Sequence, residues 1–71
     1  MTVAQIREPK GADYLEVVFL ESARFYKLFR KDPESGEVLG LLRKALAEGR
    51  AMNVGLDSLD SDIIRAIQEP G

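Results

Sequence analysis

The chain contains no histidine, no cysteine and no tryptophan. Without histidine it lacks the commonest general base near neutral pH. Without cysteine it has no thiolate chemistry, no disulfide and none of the usual zinc ligands. Asp, Glu, Lys, Tyr and Ser remain, but paired carboxylates act as acid and base only in a pocket that shifts their pKa values. A single helix on a single sheet leaves little volume for such a pocket. The expectation is therefore a chain that is not an enzyme and that uses no cofactor and no metal. Long hydrophobic runs are missing too. None approaches the ~20 residues that span a bilayer, and the first ten residues lack the apolar stretch of a secretory leader. A cytoplasmic protein with no membrane partner is expected.

What is present is one small domain's worth of chain. At 71 residues the core is thin, because domains of this size bury only about 60% of their unfolded surface. No disulfide or Cys/His metal site staples it, so stability rests on packing. Hydrophobic residues make up 45% and charged residues 31%, an ordinary globular composition. The net charge of −2 is unevenly spread. Residues 24–50 carry seven basic side chains against four acidic ones, whereas the rest carries three against eight. A basic middle between acidic ends suits an anion, or the acidic ends of a second copy.

Residues 1–12 read as a flexible lead-in, punctuated by Pro9 and Gly11, with Val3 and Ile6 isolated. Residues 13–69 read as the domain. Over 13–20, Leu15, Val17 and Phe19 alternate as a strand, and Tyr14, Val18 and Leu20 make the opposite side apolar as well. Residues 23–30 fit a strand or a helix, and the aromatics favour the strand. Glu21-Ser22 is then the tip of a hairpin. A helix is expected over 33–48, with Asp32 or Ser35 capping it, Pro33 in its first turn and Gly49 ending it. Val38, Leu41, Leu42, Ala45 and Leu46 recur at helical spacing. Met52, Val54 and Leu56 alternate as a further strand. Residues 62–68 fit a strand or a capped helical turn, and three isoleucines among them favour the strand.

Three constellations bear on chemistry. The first is Asp57-Ser58-Leu59-Asp60, preceded by Gly55-Leu56. Over these six residues the chain resembles the site at which acyl carrier proteins carry a phosphopantetheine arm on serine. That resemblance implies a long helix after Ser58 and further helices beyond it. Only 13 residues follow Ser58, so the competing reading is a polar turn. The second is the carboxylate set Asp57, Asp60 and Asp62. These are hard oxygen ligands, but the glycine and closing glutamate of the calcium loop are missing. The third is the basic-aromatic run 24–31, which interleaves rings with cations as a single-stranded nucleic-acid platform does. The acidic balance of the whole chain opposes that use.

The fold expected is a small α+β domain in the order β-β-α-β-β, an antiparallel sheet with one helix on one face; the runner-up is β-β-α-β-α. The expected core is Leu15, Val17, Phe19, Phe25, Phe29, Val38, Leu41, Leu42, Ala45, Leu46, Val54 and Ile64. One helix shields one side of a sheet, so the other side is expected to expose an apolar patch, which usually marks a contact surface. Tyr14, Val18, Leu20, Arg24, Tyr26, Leu28 and Arg30 are the candidate interaction residues. The expected function is a non-enzymatic protein-interaction module that self-associates or serves as an accessory subunit. The alternative is single-stranded nucleic-acid binding through 24–31.

Overall fold

The computed structural model describes residues 1–58 and 60–68. Five strands and one helix follow in chain order: β1 (Val3–Arg7), β2 (Tyr14–Phe19), β3 (Phe25–Phe29), α1 (Ser35–Glu48), β4 (Asn53–Leu56) and β5 (Ile64–Gln68). The α+β class holds, with a helix between two β units. Both segments that were open between strand and helix form strands, β3 and β5.

The 1–12 stretch, expected as a loose lead-in, supplies β1. Val3 and Ile6 are three residues apart, which breaks strict alternation and hides the strand. The pairing with β2 explains how both serve one face. Val3 stands opposite Phe19 and Ile6 opposite Val17, with a shift of register between Val3 and Gln5. That irregularity inserts Ala4 and brings Ile6 back into phase with Val3.

β1, β2 and β3 form one antiparallel sheet, and β4 and β5 form another. Two isolated bridges join them. Thr2 pairs antiparallel with Ala51, and Lys27 pairs parallel with Ile63. The Lys27 N–H donates to the Asp62 carbonyl at 2.7 Å. The strands therefore run β1-β2-β3-β5-β4 and curl back towards β1. This is the connectivity of a small, partly open Greek-key barrel of the OB type. α1 lies against β1, β3 and β5 on the inner side of the curl.

Inside are Val3, Leu15, Val17, Phe19, Tyr26, Leu28, Val38, Leu42, Ala45, Met52, Ile64 and Ile67. Leu41 and Val54, both expected in the core, are half-buried against it. Three expected core residues lie elsewhere. Phe25 and Leu46 are exposed, and Phe29 is half-buried on the outer face of β3. Leu46 turns outward because Val38, Leu42 and Ala45 alone form the buried stripe of α1.

The helix starts two residues later than expected. The Asp32 carboxylate accepts from the Glu34 N–H at 3.0 Å, and the Ser35 hydroxyl donates to the Arg30 carbonyl at 3.2 Å. The turn holding Pro33 is thus tied down before the first helical residue. At the other end Gly49 takes φ 66°, and its N–H reaches back to the last turn of α1. That left-handed conformation costs little only for glycine.

Two carboxylates, Glu21 exposed and Asp32 half-buried, fasten the ends of this frame. Glu21 accepts from the Thr2 N–H at 2.7 Å and from its hydroxyl at 2.9 Å. These bonds, the backbone one foremost, hold its carboxyl below the ordinary 4.5. The Glu34 N–H, and then Arg65, hold Asp32 below the ordinary 3.8. A depressed folded pKa stabilises the fold fully above the unfolded value, and the gain is lost as pH falls through the folded one. The Tm is therefore expected to stay level from neutral pH to about 5 and to fall below that. A Glu21→Gln/Asp32→Asn double variant should start lower at neutral pH and lose less between pH 5 and 3. An equal acid loss in both proteins would place the sensitivity elsewhere.

Candidate functional site

The outer face of β1–β2–β3 is set by the hairpin register. Tyr14 stands opposite Phe29, Glu16 opposite Lys27 and Val18 opposite Phe25. On the β1 side, Gln5 stands opposite Val18 and Arg7 opposite Glu16. Side chains directly opposite share a face, so three rows cross the outer surface. Gln5, Val18 and Phe25 form one row. Arg7, Glu16 and Lys27 form the next, with a carboxylate between two cations. Tyr14 and Phe29 form the third, edge to face, with ring centroids 5.9 Å apart. The Lys27 Nζ sits 5.2 Å from the Tyr14 ring centroid, close enough for cation–π attraction. Within the first row Phe25 is 53% exposed, and beyond it Leu20 is 71% exposed.

The expected interaction residues divide between the two sides of the sheet. Tyr14, Val18 and Leu20 do lie on the outer side or its rim. Tyr26 and Leu28 do not: they are 5% and 1% exposed and belong to the core. Their places outside are taken by Phe25 and Phe29, with Lys27 between them. A tip at Glu21-Ser22 puts Val17 opposite Tyr26 and Leu15 opposite Leu28 by simple counting, which is the observed register. The signal was therefore in the sequence. The general preference of phenylalanine for the interior pointed the other way.

Arg24 is exposed, forms an ion pair with Asp62 and lies 5.9 Å from the Tyr26 ring centroid. Arg30 is exposed at the end of β3, and its N–H donates to the Asp13 carbonyl at 2.9 Å. In the β4–β5 loop, Asp57 accepts from Arg65 Nε at 2.8 Å. Arg65 also reaches Asp32 at 3.2 Å. Its two partners, Asp57 first, raise its own pKa. Asp57 and Asp62 are thus each engaged by an arginine. Ser58 is exposed on a loop between two strands, not at the start of a long helix as the carrier-protein resemblance implies. Leu59 of that motif lies outside the described residues.

No family model matches the chain, and no curated protein does. Solved structures are similar. A structure of pro- protein-glutaminase superposes with a TM-score of 0.82 at 21% identity, over 99% of this chain and 24% of that one. A structure of the A47Q2 mutant of pro- protein-glutaminase gives 0.82 at 20%, with the same coverage. The chain spans about a quarter of the length of these neighbours. This corrects the expectation that the chain is not an enzyme, since a unit of this shape forms part of an enzyme's pro-form. At this identity the likeness shows the fold, and the fold by itself assigns no reaction.

Proposed function

We propose that the chain is a protein-interaction domain that docks through the outer face of β1–β2–β3. The observation that carries this reading is the outer-face pair of half-buried Val18 and exposed Phe25, with exposed Leu20 at its rim. Aromatic residues flanked by arginine and lysine, with few competing carboxylates, are what the centre of a protein contact uses. The partner is a second copy or a larger subunit. Support for the latter comes from the solved neighbours, in which a unit of this fold accounts for 24% of the chain and so adjoins other protein. The cytoplasmic location expected from composition belongs to the same proposal.

A second reading, single-stranded nucleic-acid binding, is favoured by the Tyr14–Phe29 ring pair with Lys27 beside it. It is weaker because Arg24 and Arg65 are spent on Asp62, Asp57 and Asp32, and electrostatic affinity needs cations free of carboxylates. Light scattering coupled to size exclusion separates the readings. The wild type is expected above its monomer mass of 7.9 kDa at about 100 μM, a concentration suited to weak interfaces. Phe25→Asp is expected to return it to monomer with an unchanged Tm. A strict monomer that binds no subunit through this face, yet binds a single-stranded oligonucleotide that salt displaces, would hand the face to nucleic acid.

A further inference from the structure

The charged row on the outer face of β1–β2–β3 is not closed within the chain. Glu16 is half-buried, with Arg7 of β1 opposite it on one side and Lys27 of β3 on the other. Both cations are exposed. Elsewhere Arg24, Arg43 and Arg65 close on carboxylates. Among the described residues, neither Arg7 nor Lys27 forms an ion pair or a side-chain hydrogen bond with Glu16. The Lys27 ammonium lies instead 5.2 Å from the Tyr14 ring centroid. A carboxylate this far out of water is stabilised by a cation brought to it from outside.

The pairing of β2 with β3 makes the face its own complement. Three pairs cross this hairpin on the outer side: Val18 with Phe25, Glu16 with Lys27, and Tyr14 with Phe29. The first is apolar, the second joins unlike charges, and the third joins two rings. A twofold axis parallel to the strands, above the line between β2 and β3, exchanges the two members of every pair. It sets Val18 on Phe25 of a second copy, Glu16 on Lys27 and Tyr14 on Phe29, each contact made twice. The charges oppose the other simple axes. An axis above β2 sets Glu16 on Glu16 and Arg7 on Lys27. One across the strands, above the charged row, sets each charge on its own like. One across the strands to either side of that row sets Glu16 on Val18 or on Tyr14, with no cation to meet it. One between β1 and β2 mates Glu16 with Arg7, but it covers Val18 with Gln5 and leaves the rings of β3 outside. Like charges brought together across an interface suppress that arrangement.

We infer that the occupant of the outer face is a second copy of this chain, docked about the axis between β2 and β3, with Glu16 of each copy on Lys27 of the other. This rests on the outer-face reading above and names its partner. The two sheets stack with aligned strands, and Arg7 and Gln5 stay at the rim, where polar groups keep their water. Three strands of five or six residues make a face smaller than the ~800 Å² per partner of a standard interface. The dimer is therefore weak and dissociates on dilution.

Two charge reversals test it. Glu16→Lys makes both members of the exchanged pair positive, and Lys27→Glu makes both negative. Each variant alone is expected to fold and to run as a monomer at about 100 μM, where the wild type associates. Mixed in equal amounts, the two are expected to form a one-to-one heterodimer, because every contact again joins unlike charges. Repair within a chain cannot produce that result, since each chain keeps its own like-charged pair. Isotope-filtered NMR on half-labelled wild type needs no substitution and decides alone if a variant misfolds. Contacts between the Val18 methyls of one copy and the Phe25 ring of the other are expected, and a dimer without them would overturn the arrangement. A wild-type dimer that Phe25→Asp dissolves, but whose charge reversals do not restore each other, would overturn it and leave the outer-face reading standing. A wild type that stays monomeric at about 100 μM would also overturn it, and would leave the face to a larger subunit. A dimer that Phe25→Asp does not disturb would sink both.

Discussion

Leu28→Ala is expected to unfold a large share of this protein. Leu28 is 1% exposed, stands opposite Leu15 and points into the barrel. Truncating a buried leucine costs about 2–5 kcal/mol through lost burial and the cavity left behind. In a domain this small each kcal/mol lowers Tm by about 4–8 °C. A fall of at least ~10 °C is therefore expected, against a total stability of only ~5–15 kcal/mol for natural domains. Phe25→Ala, on the outer face of the same strand, is expected within about 1 kcal/mol of wild type, as for other exposed positions. Thermal melts of the two variants side by side decide the register of the hairpin. If Phe25→Ala were the costly one, β3 would be turned over, and the outer face described here would be the core.

Phe19→Ala is expected to be as damaging, for a different reason. Phe19 ends β2 at the junction of three strands. It pairs with Val3 of β1, and its ring meets Tyr26 of β3 edge to face at 5.2 Å. Removing a buried phenylalanine costs about 3–5 kcal/mol, and the ring pair adds about 0.5–1.5 kcal/mol beyond area. Urea unfolding should show a much lower midpoint with an unchanged slope, since the surface exposed on unfolding hardly changes. Phe19→Leu should recover much of the loss by keeping the volume filled. Leu20→Ala, one residue further on and exposed, should leave the midpoint where it is. A mild Phe19→Ala phenotype would mean that β1 is not held by this junction.

The outer-face reading inherits its sharpest constraint from these two variants. Tyr26 and Leu28 looked like surface positions because arginines flank their run on both sides. A charge at either position would break the fold, and so report nothing about a partner. Phe25 is the position at which charge tests docking without touching the core. The same register places Glu16 between Arg7 and Lys27. The face therefore carries only a slight excess of positive charge and suits a protein surface better than a phosphate backbone.

The residue pattern alone determined the α+β class, the strand at Leu15, Val17 and Phe19, the helix with its glycine stop, and an uncovered side of the first hairpin. Each of these is a local matter of alternation, helical period or a backbone conformation that only glycine takes easily. Tertiary structure decided the rest. β1 became visible only through its pairing with β2, because one inserted residue spoils the periodicity that would announce it. The two sheets joined into a curled barrel through single bridges at Thr2–Ala51 and Lys27–Ile63, contacts between residues 49 and 36 positions apart that leave no mark on nearby sequence. The face of β3 turned on register: a shift of one residue exchanges interior for exterior, so a segment apolar on both sides is read only when its partner strand is in place.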